Sequence, residues 1–136
     1  MVSYFPDFTQ VQPDSSALHI EVTREQHVTT VYVNGDVDLA TADLLSASAD
    51  LALQESPLRL ILDLSEVSFF SAAGLSALLR LRDRADRAAV DLVLRAPSAA
   101  VLNVLDIVNA APCFRIAPAG FRGEDRGHSL ASNTAV

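Results

Sequence analysis

Hydrophobic and polar positions alternate along residues 17–23, with Leu18, Ile20 and Val22 on one side and His19, Glu21 and Thr23 on the other. A period of two predicts a half-buried strand. The alternation resumes over residues 27–34 through Val31 and Val33, which assigns Arg24-Glu25-Gln26 to a hairpin turn. Asn34-Gly35 signals a turn or a bulge. The period then lengthens. Leu44, Leu45, Ala47, Ser48, Leu51 and Ala52 recur at helical spacing over residues 41–55, with Thr41 as candidate N-cap and Pro57 as the stop. Residues 58–64 are almost continuously apolar, broken by Arg59 and Asp63, as in a short strand covered on both faces. Residues 71–88 make the clearest helix, with Leu75, Leu78, Leu79, Arg82 and Ala85 expected on one face. Arg80, Arg84 and Arg87, offset by Asp83 and Asp86, are expected on a solvated, salt-bridged face. A strand is predicted over residues 90–95. Pro97 at the first helical position, then Ser98, opens a helix carrying Val101, Leu102, Leu105 and Val108 to Asn109. Residues 113–117 are a candidate last edge strand.

Strands alternating with helices imply parallel pairing through right-handed crossovers, with the opening hairpin as an antiparallel flank. The predicted class is α/β: a mixed, mainly parallel sheet of four to five strands with helices packed on it. One domain covers residues 17–117. Residues 1–16, with Pro6 and Pro13 and no clear period, are expected to be a mobile or loosely packed arm. Residues 118–136, rich in Gly, Ser, Asn and charge, are expected to be a disordered tail.

Composition narrows the function. Half of the 136 residues are hydrophobic, enough to bury a core in one domain. No apolar run approaches the roughly 20 residues of a spanning helix, and residues 1–10 lack the basic start and apolar stretch of a signal peptide. Cys113 is the only cysteine and cannot form an internal disulfide, in keeping with a reducing, cytoplasmic setting. It is expected as a buried apolar filler. A formal net charge of -7 argues against nucleic-acid and anionic-lipid partners. His19, His27 and His128 show no metal-ligand spacing. There is neither a Gly-rich phosphate loop with its lysine nor a Gly-x-Ser-x-Gly elbow, so no enzyme activity, metal or cofactor is expected.

Three stretches carry a family likeness. Val33-Asn34-Gly35-Asp36-Val37-Asp38-Leu39-Ala40-Thr41-Ala42 runs from a strand end through acidic residues to a helix start. Leu60-Ile61-Leu62-Asp63-Leu64-Ser65-Glu66-Val67-Ser68-Phe69-Phe70-Ser71-Ala72-Ala73-Gly74-Leu75 joins a strand ending in Asp-Leu to a loop and a Gly-Leu segment. Leu92-Val93-Leu94-Arg95-Ala96-Pro97-Ser98 leads into Val101 and Leu105. In this order they resemble the STAS family, which includes the anti-sigma factor antagonists, over about residues 18–117. The resemblance implies a non-catalytic domain that binds an anti-sigma factor, often itself a serine kinase, and so releases a sigma factor. It places Asp36, Asp38, Ser71, Ala72, Ala73 and Gly74 at the partner-binding edge. Oligomeric state stays open.

One departure bears on regulation. The family's kinase switches its antagonist off by phosphorylating a serine just before the glycine. Here that position is Ala73, preceded by Ala72 and Ser71. Alanine has no hydroxyl to accept the charge a phosphate brings. Three readings stay open: a permanently competent antagonist, which is preferred; a switch moved to Ser71 or Ser76; or a fold that has lost the antagonist role. Ser71 is also the natural N-cap of its helix. Gly74 admits two accounts, close approach of a partner backbone or tight helix-on-sheet packing. Docking is preferred for Asp38, and a solvated turn for Asp36. One of Phe69 and Phe70 is expected in the core and the other at the surface. A second functional class is a sensor module holding a small anion or nucleotide at the helix N-terminus near Ser71 and Gly74.

Overall fold

A computed structural model describes residues 18–123. The arm and the remainder of the tail lie outside the described residues. The described residues begin with a hairpin of β1 (Leu18–Glu25) and β2 (Val28–Val37). They continue through α1 (Ala42–Gln54), β3 (Arg59–Phe70), α2 (Ala72–Arg87), β4 (Asp91–Arg95), α3 (Ala99–Ile107), a 3-10 turn (Ala111–Cys113) and β5 (Arg115–Ala117). The sheet order is β1-β2-β3-β4-β5, with β1 antiparallel to β2 and every other pair parallel. This is the mixed, mainly parallel α/β sheet that the alternation predicts.

The order explains where the helices lie. Each crossover from β2 onward steps to the next strand in the same direction. Right-handed connections that always step one way put all their helices on one face. One core cluster accordingly joins Val31, Leu60, Leu62, Leu64 and Leu94 of the sheet to Leu45 of α1, Leu78 and Leu81 of α2, and Val101 and Leu105 of α3. The alternate positions Ile61 and Val93 point to the opposite face.

That opposite face is closed by residues 118–123. Phe121 is buried against Ile61, Val93 and Ala117, with Val28 packed beside them. Composition alone places these residues in the tail; the buried Phe121 ring makes them part of the packed domain. Cross-strand ion pairs flank the anchor: Arg59 Nε to Asp91 Oδ2 at 2.7 Å and Arg95 Nε to Asp63 Oδ2 at 2.7 Å.

Several local expectations shift. The hairpin turn falls at Gln26 (φ 57°) and His27, and Arg24 and Glu25, expected in the turn, stay in β1. β3 does not stop at Leu64 but runs to Phe70, because β2 supplies backbone partners as far as Val37. Pro97 precedes the helix; Ser98 is the N-cap of α3, its hydroxyl accepting from the Val101 amide. On α1 the buried side is Ala42, Leu45, Ala49, Ala52 and Leu53, which leaves Leu44 and Leu51 exposed. On α2 it is Gly74, Ala77, Leu78, Leu81 and Ala85, one step round from the expected face. Leu102 and Val108 also stay at the surface. Arg84 reaches Asp50 of α1 at 3.4 Å. Cys113 is exposed, because it lies on the 3-10 turn ahead of the edge strand and not under the sheet.

Candidate functional site

The carboxyl ends of β2 and β3 lie side by side. Asp36 stands opposite Phe69 and Val37 opposite Phe70, and the Ser71 amide donates to the Val37 carbonyl at 2.9 Å. Two register shifts precede this junction, one between Tyr32 and Asn34 and one between Gly35 and Asp36. Gly35 has φ 122°, a conformation that side chains resist, which accounts for the Asn34-Gly35 signal as a bulge inside a strand. The bulges twist the paired strands and aim the loop of residues 36–41 beside the start of α2.

A compact hydrogen-bonded turn holds that loop. The Asp38 carboxylate Oδ1 accepts from the Thr41 amide at 3.0 Å. The Thr41 hydroxyl accepts from the Asp38 amide at 2.9 Å and donates to the Asp36 carbonyl at 2.8 Å. Thr41 occupies the N-cap position of α1, yet its hydroxyl turns back into the loop and caps no helix amide. The Asp36 carboxylate accepts from the Ser68 hydroxyl of β3 at 3.1 Å, tying the two halves together.

On the α2 side, Ser71 is the N-cap, its Oγ accepting from the Ala73 amide at 3.2 Å. Its oxygen is thus engaged in the fold. Ala72 and Ser76 are exposed and Ala73 is half-buried. Gly74 is buried: a Cβ there would lie 2.7 Å from Phe70 Cε1 and 2.8 Å from Val37 Cγ1. Its close approach is to the sheet, so packing accounts for this glycine. The structure therefore brings Asp36, Asp38, Ser71, Ala72 and Ala73 to one surface and turns Gly74 inward.

Two apolar side chains complete the surface. Leu39 is 84% exposed at the tip of the loop, and Phe69 is 51% exposed on β3 while Phe70 beside it is buried. Sequence reasoning left open which phenylalanine faces out and passed over Leu39. Alternation from the buried Val67 would turn Phe69 inward, and the structure buries Phe70 instead; nothing in the local pattern marks a leucine in a turn as exposed. Asp36 pairs with Phe69 across the strands, Asp38 precedes Leu39 in the loop, and Asp43 is exposed in the first turn of α1. Exposed apolar side chains on neighbouring segments that also carry carboxylates have the chemistry of a protein contact.

The same fold supports the site from below. Asp63 Oδ1 accepts from the Ser65 amide at 3.0 Å and the Ser65 hydroxyl at 2.7 Å, fixing the irregular stretch between the two halves of β3. Burial pushes the Asp63 carboxyl up, but the hydrogen bonds from Ser65 and from Arg95, with the arginine's charge, outweigh it and hold the carboxyl below its usual value.

The chain belongs to the STAS domain family, whose profile matches residues 19–119. Solved structures agree in fold. An anti-sigma factor antagonist from Mycobacterium paratuberculosis superposes with a TM-score of 0.72 at 19% identity, covering 92% of this chain and 100% of that one. The Bacillus cell fate determinant SpoIIAA in its phosphorylated form gives 0.60 at 16% identity, covering 88% and 100%. A STAS-domain anti-sigma factor antagonist from Planctomyces limnophilus gives 0.63 at 18% identity, covering 85% and 97%. No curated protein sequence matches. Among the described residues no helix is long and apolar enough to cross a membrane.

Proposed function

We propose that this protein is a non-catalytic anti-sigma factor antagonist, docking onto its anti-sigma factor through residues 36–41 and 69–73 and so releasing a sigma factor. The observation that carries the reading is the exposure of Leu39 and Phe69 on the two segments that bear the first two family motifs, whose strands pair through Asp36 and Phe69. Exposed apolar side chains on segments that also carry carboxylates suit a partner with a small apolar pocket and basic surroundings. Structural neighbours named as anti-sigma factor antagonists support the choice of partner.

Docking would run without the serine switch. Ala73 has no hydroxyl, Ser71 spends its oxygen on the helix cap, and Ser76 lies a turn further along α2. The protein then stays competent, and its amount or another input sets its activity. The anion-sensor alternative is weaker because the loop beside the α2 N-terminus carries Asp36 and Asp38, whose charge opposes an anion.

The test is titration of the protein against the anti-sigma factors encoded in its own genome, by calorimetry. Leu39→Ser and Phe69→Ser each should weaken binding by about 30-fold or more, the scale of an interface hot spot. Leu102→Ser, on α3, should leave affinity unchanged. Equal affinity for all three variants would place the contact elsewhere. Phosphate on Ser71 or Ser76 of protein isolated from its native cell would show that the switch has moved.

A further inference from the structure

Residues 118–123 do more than cover apolar surface. Phe121 fills the slot on the open face, and two arginines hold the backbone at Phe121 and at Gly123. Arg95 Nη1 donates to the Phe121 carbonyl at 2.7 Å, and Arg59 Nη1 donates to the Gly123 carbonyl at 2.9 Å. The Arg59 guanidinium lies 5.7 Å from the centre of the Phe121 ring. Gly123 has φ 81°, and a Cβ there would meet Ile61 Cδ1 at 2.8 Å, so the backbone itself lies against the sheet. The Phe121 amide donates to the Pro118 carbonyl at 3.2 Å in the turn that brings the segment back over the strands.

Arg95 is shared between this strap and the docking end. Its Nε donates to Asp63 Oδ2 at 2.7 Å while its Nη1 holds Phe121. The other oxygen of Asp63 holds Ser65. Between Asp63 and Glu66 the pairing of β3 with β2 slips, three residues on β3 spanning the interval of two on β2. Beyond the slip come Ser68, bonded to Asp36, and Phe69. We propose that residues 118–123 are a regulatory strap: seated, they hold Arg95 and Asp63 so that the Ser65 bulge presents the docking segment, and released, they loosen it. This deepens the docking reading and rests on it only for the consequence, since the coupling exists whether or not an anti-sigma factor is the partner. The strap is a six-residue segment held to the sheet by contacts that include the Phe121 ring, Gly123 against Ile61, and hydrogen bonds from Arg59 and Arg95 to its carbonyls; a segment of this size can open locally without global unfolding. It gives a protein lacking the serine acceptor a second place for control, reached by anything that engages the chain beyond Gly123.

Hydrogen exchange of the full chain, read by mass spectrometry without any partner, tests the coupling. Phe121→Ala and Arg95→Gln should each raise exchange over residues 65–72 by about tenfold or more. Asp63→Asn keeps an oxygen for Ser65 but offers Arg95 an amide nitrogen; it should loosen residues 65–72 while the strap stays protected. Val101→Ala, on the buried side of α3, serves as a control that loosens the core elsewhere and should show no excess there. Loosening of residues 118–123 in Phe121→Ala, with residues 65–72 exchanging as in the wild type, would overturn the proposal. Should Phe121→Ala fail to fold, Arg95→Gln and Asp63→Asn decide the matter by the same readout. Loss of anti-sigma binding by Leu39→Ser bears on the docking reading alone.

Discussion

Gly74 illustrates how a single position carries structural information that chemistry alone leaves ambiguous. It sits in the first turn of α2, where glycine is about 1 kcal/mol less favourable than alanine. That penalty is tolerated because Phe70 and Val37 leave no room for a methyl group. Gly74→Ala is expected to lower stability by about 1–3 kcal/mol despite its better helix propensity, since both neighbours are locked in the core. Thermal or urea denaturation checks the sign; a gain would mean that α2 shifts freely. The residues flanking this glycine behave differently. Ala72 and Ala73 remain near the surface, and Ser71 has a bonded hydroxyl, as the capping preference of serine indicates. Asp38 was chosen from the sequence as a docking residue, and its carboxylate also closes the loop through the Thr41 amide. Asp38→Ala would therefore disturb loop shape and surface charge together, which makes Leu39 and Phe69 the cleaner probes.

At the scale of elements, periodicity located the helices but did not orient them. In α1, Leu44, Leu45, Ala47, Ala49, Leu51, Ala52 and Leu53 spread apolar character over more than half of the circumference. Two neighbouring stripes then satisfy the helical period, and contact with β2 selects the one containing Leu45 and Ala52. Leu51→Ser is expected to change stability by no more than about 0.5 kcal/mol, whereas Leu45→Ala should lose about 2–5 kcal/mol. Chemical denaturation of the two variants distinguishes the observed orientation from the sequence reading, which counts both leucines among the apolar positions and so expects both substitutions to cost stability. β3 shows the same limit in a strand. Ser65-Glu66 looks like a loop because polar residues interrupt the apolar run, yet β2 continues alongside and the backbone stays paired to Phe70. The bulge there is held by Asp63, and it converts what would be a loop into an edge that displays Phe69.

For the whole molecule, sheet order governs which surfaces exist. Helices confined to one face leave the other to be closed by residues 118–123 and by cross-strand ion pairs. Acid should act through the pair of Asp63 and Arg95. The Asp63 carboxyl is held below its ordinary value of 3.8 in the folded chain. A carboxyl depressed by folding contributes fully above its unfolded value, and that contribution is lost as pH falls through the folded value. Melting temperatures followed from about pH 6 down to about pH 2 should therefore fall less steeply for Asp63→Asn than for the wild type, the two differing most above about pH 4. Parallel acid limbs would show that Asp63 has no such role.

The amino-acid order makes the succession of strands and helices, the α/β class and the family legible, because each depends on local periods and on motifs contiguous in the chain. It also determined that Ala73 has no hydroxyl to modify, which is a matter of composition at one position. Tertiary structure alone decided which side of each helix is buried, which phenylalanine of the Phe69-Phe70 pair faces solvent, and that Phe121 belongs to the packed domain. Those outcomes depend on what arrives from elsewhere in the chain: β2 alongside β3, the sheet beneath α1, and a slot between Ile61 and Val93 wide enough for one aromatic ring. Local pattern encodes the elements, and burial is a property of their neighbours.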